Sequence, residues 1–269
     1  MNHFRLNRVV VVLGLLAALV TVGFDGRTQD LSAEQIMQAS NDRYQGDDFQ
    51  SQVKLTTTDA QGNSSALSVD LVAKLVSDSA PQHRYNLVAT VSAPADAAGL
   101  AVLVHEQQFD TPDDIWLFLP ALGSAKKIVP ENFRTPLFGS EFTFEELVDR
   151  EPGLGRHELV RPDTLDGRKV WVVKSTPLDP EVAGFAYRIT FVDQETLLQL
   201  RMELYDDFDT MIKLFSTQKV ETVDGVPTRV LSTAQNLETG RTSTFAFLNP
   251  RYNVGGVSDT LFDPEQFGR

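Results

Sequence analysis

The feature that most constrains the fold is a series of short segments in which apolar and polar residues alternate, separated by tight turns. In the clearest of them, Ala66 to Val76, every second residue is apolar, namely Leu67, Val69, Leu71, Ala73 and Leu75. The turn signals Asp166-Gly167 and Asp224-Gly225 separate later segments of the same kind. Because side chains point alternately to the two faces of a strand, this pattern predicts a mainly β fold built on an antiparallel sheet. Such a sheet must close into a barrel or cover its open face.

Two helix starts make α+β the fuller description of the predicted fold class. Ser32 and Gln35 have the spacing of a capping box, which predicts a helix from Leu31 to Tyr44 that lies against the sheet. Thr143 and Glu146 repeat that spacing and predict a short helix from Phe144 to about Arg150. The first helix and the region of the second are the segments available to cover the open face of the sheet.

The N-terminus has the pattern of a secretory signal peptide. Arg5 and Arg8 precede an apolar run from Val9 to Val22, and the small residue Gly23 follows. Since the run is shorter than the ~20 residues of a spanning helix, we predict a signal peptide at residues 1–23 and one domain at residues 24–269. The alternative is an uncleaved single-pass anchor in the inner membrane. In both cases the domain lies outside the cytoplasm, and the lack of cysteine favours the bacterial periplasm.

The composition excludes several classes of protein. A formal net charge of -13 and the lack of a basic run disfavour nucleic acid as a partner. The chain has no cysteine, so disulfides, thiol nucleophiles and Cys-based zinc sites are excluded. The 4 histidines do not have the spacing of metal ligands. We therefore expect no metal and no cofactor, and a partner that is an apolar small molecule or another protein.

No motif in the sequence is typical of an enzyme. Gly139 and Ser140 lead into Glu141 and Phe142, which is not the G-x-S-x-G turn of a serine hydrolase. The acidic clusters, such as Asp206-Asp207, lack the spacing of a calcium loop and fit strand ends and turns. We expect a protein without catalytic residues, and a lipid or sugar hydrolase is the least favoured alternative.

The stretch from Asp113 to Asp149 combines an apolar strand, a lysine pair and an aromatic loop bounded by prolines. Its segment Ile115 to Leu119 is wholly apolar, which indicates burial on both faces, or on one face against a ligand. Alternate residues of a half-closed sheet face inward, so some aromatic side chains are expected to line a cavity for a lipid. The candidates for its lining or lid are Trp116, Phe118, Phe138, Phe142 and Phe144. We predict that Gly139 and Ser140 form the hinge of this lid, because glycine gives the backbone freedom there.

Two blocks in this stretch resemble a known family. The sequence W-L-F-L-P-A-L-G-S-A-K-K-I at Trp116 to Ile128, followed by L-F-G-S-E-F-T-F-E-E-L at Leu137 to Leu147, resembles the outer-membrane lipoprotein-sorting proteins. These are relatives of the periplasmic lipoprotein carrier LolA. The resemblance implies an incomplete antiparallel β-barrel, with helices over its open side and an apolar cavity between them.

The resemblance also implies a function. The leading hypothesis is a non-enzymatic periplasmic carrier that binds acyl chains of lipids or lipidated proteins, because inward apolar side chains hold a lipid without any catalytic group. An inner-membrane transporter is a further expected partner, in addition to a role in outer-membrane lipoprotein sorting. The alternative is a periplasmic sensor or regulator with the same fold, acting on a membrane protein. We expect a monomer.

Overall fold

A computed structural model describes residues 31–77, 84–107, 111–130, 134–143 and 152–268 of the chain. The predicted signal peptide, residues 1–23, lies outside the described residues, as does the predicted helix from Phe144 to Arg150. Within the described residues, no helix is both long enough and apolar enough to cross a membrane.

In the described part of the chain, thirteen strands form one antiparallel sheet. The first six are β1 (Asp48–Thr58), β2 (Ser64–Leu75), β3 (Tyr85–Ala93), β4 (Ala101–His105), β5 (Asp114–Leu119) and β6 (Ser124–Ile128). The other seven are β7 (Gly155–Leu165), β8 (Arg168–Pro177), β9 (Tyr187–Asp193), β10 (Gln199–Tyr205), β11 (Met211–Val223), β12 (Val226–Asn236) and β13 (Thr242–Tyr252). The helices are α1 (Ala33–Asn41) and the single turn α2 (Pro180–Ala183). The predicted mainly β, antiparallel fold is confirmed.

The order of the strands divides the sheet into two halves. It runs β6-β5-β4-β3-β2-β1-β13-β12-β11-β10-β9-β8-β7, so the chain starts in the centre and proceeds to the β6 edge. It then continues at the opposite edge, with β7, and returns to the centre, where β13 pairs with β1. The sheet is open rather than a closed barrel, because β6 and β7 are its two edges. The connection between them joins one edge to the other.

The two Asp-Gly turns predicted from the sequence are present in the structure as tight hairpin turns. Asp166 and Gly167 join β7 to β8 with φ of 49° and 82°, and Asp224 and Gly225 join β11 to β12 with φ of 48° and 85°. Two successive residues in the left-handed region are what a tight hairpin needs, and Asp-Gly adopts that conformation at low cost. These two hairpins fix the pairing of four strands.

Helix α1 has the predicted capping box. The Ser32 hydroxyl accepts a hydrogen bond from the Gln35 backbone N–H, and the Ser32 N–H donates to the Gln35 side chain. Ile36 and Met37 are buried against Val173 and Val192 of β8 and β9. This helix therefore covers one side of the sheet in its second half.

Helix α1 ends at Asn41, before the predicted end at Tyr44. Nη1 of Arg43 donates a hydrogen bond to the Ser40 carbonyl at 2.6 Å. A continuing helix would use that carbonyl to accept the N–H of Tyr44. Tyr44 lies outside the helix and is exposed, so it does not belong to the face that packs on the sheet.

Two segments outside the sheet cover its two faces. The crossing loop, residues 134–143, is a described part of the connection between β6 and β7. The C-terminal cover, residues 257–268, follows β13 and includes a 3₁₀ turn at Asp259–Phe262. It packs on the outer face of β3, β4 and β5 through Val257, Phe262 and Phe267.

Candidate ligand cavity

The inner face of the sheet lines a cavity of about 260 Å³. One wall comes from the first half of the sheet, where every second side chain of β1 and β2 faces inward. These residues are Phe49, Val53, Leu55, Val69, Leu71 and Ala73. They are the apolar residues of the alternating pattern, while Gln52 and Lys54 between them are exposed. The alternation in the sequence thus identifies the cavity side of these strands.

The second wall comes from the strands beyond the centre of the sheet. Val53 pairs with Phe247 and Leu55 pairs with Phe245, so these phenylalanines lie on the same face as the first wall. Phe49 and Phe247 make an edge-on contact with ring centroids 5.0 Å apart, and Phe245 and Phe247 make another at 5.0 Å. The result is an aromatic lining that continues across the junction of the two halves.

The crossing loop contributes Leu137, Phe138 and Phe142 to the lining. Leu137 and Phe138 pack on β4 and β5 in the first half. The Phe142 ring lies 6.0 Å from that of Phe215 on β11 and 5.8 Å from that of Phe245 on β13. The crossing loop therefore touches both halves of the sheet over the cavity.

The backbone of the crossing loop is unusual at Phe138. Its φ of 52° lies in the left-handed region, which an aromatic residue seldom adopts, and Gly139 follows with φ of 72°. Such a conformation costs of the order of 1–3 kcal/mol and persists where its surroundings hold it. The Ser140 hydroxyl donates to the Leu137 carbonyl at 2.7 Å and accepts from the Phe142 N–H at 3.1 Å, which closes the turn.

The crossing loop is fixed to β13 and to the turn before it. The Glu141 N–H donates to the buried Ser243 hydroxyl at 2.8 Å. Nη2 of Arg241 donates to the Gly139 carbonyl at 2.8 Å, and Arg241 Nε lies 3.2 Å from a Glu141 carboxylate oxygen. Gly139 and Ser140 thus lie in an anchored turn, and movement of a lid about them stays a prediction.

The predicted cavity residues fall in different places. Phe138 and Phe142 lie in the lining of the cavity. Trp116 and Phe118 lie on the outer face of β5, in the cluster that the C-terminal cover completes. Phe144 lies outside the described residues. The wholly apolar segment Ile115 to Leu119 is covered on both faces, which is one of the two arrangements its composition indicates.

The described histidines and Ser140 have structural partners of their own. The buried Ser140 hydroxyl is bonded within its own turn. A ring nitrogen of His105 contacts the Phe262 carbonyl at 2.7 Å, and His157 contacts the Ser175 hydroxyl at 2.8 Å. Burial lowers the pKa of His157, partly opposed by its hydrogen bond to the Pro152 carbonyl. Among the described residues, no three His, Asp or Glu side chains are grouped to hold a metal ion.

One end of the cavity is polar, and sequence reasoning did not find it. The charged lining residues are Arg43, Glu106, Arg201 and Arg229. Arg43 follows α1, Glu106 follows β4, and Arg201 and Arg229 lie near the starts of β10 and β12. Nothing in the local sequence links positions so far apart.

Two tyrosines border this polar end. The Tyr85 hydroxyl accepts the Gln45 N–H at 2.9 Å and donates to the Gly46 carbonyl at 3.0 Å. Burial raises its pKa strongly, against the effect of the Gln45 hydrogen bond. Burial also raises the pKa of Tyr252, and its hydrogen bond with Thr228 and the positive charges of Arg43 and Arg229 act in the opposite direction. Thr228, which precedes Arg229 in β12, brings its hydroxyl within 3.1 Å of the Tyr252 hydroxyl.

Comparison with solved structures defines the class of fold. A domain from Vibrio parahaemolyticus, described as an outer membrane lipoprotein-sorting protein, superposes with a TM-score of 0.79 at 24% identity, covering 88% of this chain and 98% of that one. A LolA superfamily protein from Nitrosomonas europaea gives 0.66 at 17% identity, over 88% of this chain and 100% of that one. The chain therefore has the fold of these proteins, and the resemblance seen in the sequence is confirmed.

Family membership follows from the sequence match. The model of a family described as uncharacterized protein matches residues 84–269, and the chain belongs to this family. A DUF1329 family protein from Desulfovibrio piger has the same fold, with a TM-score of 0.78 at 21% identity over 87% of this chain and 96% of that one. A search among curated proteins gave no match.

Proposed function

We propose that the protein is a non-enzymatic carrier that binds the acyl chains of lipids or of lipidated proteins in this cavity. The observation that carries the proposal is the aromatic lining shared by the two halves of the sheet, with the crossing loop over it. Large pockets lined mainly by apolar side chains are the usual sites of apolar ligands. Each CH₂ group removed from water contributes ~0.8 kcal/mol, so an acyl chain needs no polar contact to be held.

The fold supports the same proposal. A similar fold occurs in a domain described as an outer membrane lipoprotein-sorting protein. We place the carrier in the periplasm, where the predicted signal peptide would send it, and an inner-membrane transporter remains a proposed partner. Ser140 agrees with a role without catalysis, because its hydroxyl is buried and serves the crossing loop.

Extraction of lipids from the purified full-length protein, followed by mass spectrometry, tests the proposal. We expect recovery of molecules with long acyl chains, and uptake of added palmitate by protein that has been stripped of lipid. A protein that is repeatedly empty and takes up no added lipid would contradict a carrier.

A matched pair of variants shows whether the lipid occupies the cavity. Ala89 is buried and lines the cavity, so the indole of Ala89→Trp should fill part of it. Lipid uptake should then fall about tenfold or more, because a few CH₂ groups of the ligand can no longer be buried. Gln52 is exposed on the other side of β1, and Gln52→Trp should leave uptake unchanged. Circular dichroism checks that both variants keep the sheet. Equal uptake by the two variants would place the lipid elsewhere.

A further inference from the structure

We propose that the ligand of the cavity is a long-chain amphiphile with an anionic head group, which is bound by Arg43 and Arg229. The proposal rests on the proposed function, since it assumes that the cavity holds an acyl chain. It adds the chemistry of the head group and the direction in which the ligand lies.

The two arginines are brought together by the topology of the sheet. Arg43 precedes β1, Arg229 lies near the start of β12, and Tyr252 ends β13 between those strands. Nη1 of Arg229 donates to the Gln199 carbonyl at 3.2 Å, and Nη1 of Arg43 donates to the Ser40 carbonyl at 2.6 Å. Hydrogen bonds from the guanidinium groups to backbone carbonyls orient both side chains at this end of the cavity.

The same neighbourhood is tied together by side chains. The Gln199 amide donates to the Ser40 hydroxyl at 3.4 Å, so the residues that hold the two arginines also contact each other. Both guanidinium charges act on the Tyr252 hydroxyl. The Tyr252 ring in turn packs on Phe49, with centroids 4.6 Å apart. A polar group bound here would thus adjoin the apolar lining directly.

The charge of the lining favours an anion. Arg201 forms an ion pair with Glu203 at 2.7 Å, and Glu203 is not part of the lining. The charged residues of the lining are the three arginines Arg43, Arg201 and Arg229 and the carboxylate of Glu106, which accepts the Tyr85 N–H at 2.7 Å. The formal charge of the lining residues is therefore positive, although the whole chain carries -13. A guanidinium group binds carboxylate and phosphate oxygens through two parallel hydrogen bonds, most strongly where water is scarce.

The far end of the cavity is suited to the tail of such a ligand. Next to Phe142 the lining is formed by the rings of Phe215 and Phe245 and by Leu55, which pairs with Phe245. The nearest charged lining residue is Arg201, opposite Ser216, and it forms an ion pair with Glu203. From Phe49, beside Tyr252, to Leu55, beside Phe245, strand β1 rises about 20 Å at ~3.3 Å per residue. The cavity therefore has a charged end and an apolar end, and an amphiphile with a head at Arg43 and Arg229 directs its chain towards Phe142.

Ligands with one tail and different heads test this inference. Isothermal titration of the full-length protein would use palmitate, hexadecyl phosphate, hexadecanol and hexadecyltrimethylammonium. We expect palmitate, hexadecyl phosphate or both to bind at least about tenfold more tightly than hexadecanol, because a charge-assisted hydrogen bond contributes a free energy of that order. The cationic ligand should bind most weakly. The comparison of the two anionic ligands tells a carboxylate head from a phosphate head.

Variants assign the effect to the arginines. The double variant Arg43→Gln, Arg229→Gln should lose the preference for the anionic ligands and keep the affinity for hexadecanol, which shows at once that it is folded. Arg251→Gln removes an exposed charge next to Tyr252 and serves as the matched control, with no change expected. Equal affinity of the native protein for all four ligands would overturn the head-group inference alone. So would a double variant whose affinities for palmitate and for hexadecanol fall by the same factor. Failure of every ligand to bind would overturn the carrier function as well.

Discussion

The first half of the sheet has apolar side chains on both faces, on the outer face chiefly over β3, β4 and β5, and the two faces are completed in different ways. On the inner face, Val53 and Leu71 line the same cavity as the aromatic residues of the second half. On the outer face, Leu103 is fully buried under Phe262 and Phe267 of the C-terminal cover. One face is completed by the protein's own chain, whereas the other keeps open space beside apolar side chains. The difference indicates which face is available to a ligand.

The C-terminal cover is attached by polar contacts as well as by packing. The Lys74 ammonium group donates to the Val257 carbonyl at 2.9 Å and pairs with Asp259 at 2.6 Å. Where the cover leaves the sheet, the Asp48 carboxylate accepts the N–H groups of Val254 and Gly255. A Cβ atom at Gly268 would overlap the ring of Phe118. The outer face is thus closed by a segment that fits it closely.

The largest effect is expected from Phe262→Ala on the outer face. Phe262 is 3% exposed and packs with Leu103 and Phe267. Removing a buried phenylalanine side chain costs about 3–5 kcal/mol, because it leaves a cavity in a packed cluster. Denaturant unfolding should show this loss, while the affinity of the folded protein for palmitate stays unchanged. A small loss of stability would mean that the C-terminal cover is not part of the core.

Phe247→Ala is the counterpart on the inner face. Phe247 is only half-buried because it faces the cavity, so its truncation should cost less stability than that of Phe262. It should instead weaken palmitate binding about tenfold or more, since the ring contributes apolar contact area to the ligand. If Phe247→Ala lowered stability as much as Phe262→Ala and left binding intact, the distinction between the two faces would fail.

The contrast between β1 and β5 shows how far the sequence predicts this arrangement. In β1, the polar residues Gln52 and Lys54 mark the outer face, and the inner face could be read directly. In β5, Ile115 to Leu119 is apolar throughout, so no polar residue marks either face. Whether Trp116 faced the cavity or the C-terminal cover therefore depended on long-range packing. Short hairpins and the cap of α1 were predictable, because their signals are local.

The polar end of the cavity was beyond prediction for a related reason. Arg43 and Arg229 belong to opposite ends of the sequence and meet only because β1 pairs with β13, next to β12. That pairing closes a loop of nearly the whole chain, and no turn signal specifies it. Phe142 could be proposed for the lining because it lies in a local cluster of aromatic residues, and its contacts with Phe215 and Phe245 required the fold.

An intermediate effect is expected from Ser243→Ala, which tests how the crossing loop is held over the inner face. The buried Ser243 hydroxyl accepts the Glu141 N–H and lies 2.7 Å from the Thr57 hydroxyl. Loss of this partner leaves a buried donor unsatisfied, at a cost of about 1–3 kcal/mol. Hydrogen exchange should become faster at Glu141 and stay unchanged in the C-terminal cover. Thr244→Ala, on the other face of the same strand, serves as the control.

The smallest effect is expected at Trp116, where the prediction is that nothing changes. Trp116 lies on the outer face, with its ring 5.0 Å from that of His105, and the sheet separates it from the cavity. In a Trp171→Phe background, it is the only tryptophan left. Addition of palmitate should leave its emission spectrum unaltered. A second variant in that background carries Trp116→Phe and Phe142→Trp, so its only tryptophan is at position 142. Addition of palmitate should shift its emission to shorter wavelength, because the indole lines the cavity and the ligand displaces water from it. A shift at Trp116 that equals the one at position 142 would mean that the ligand reaches the outer face, displacing the C-terminal cover instead of entering the cavity.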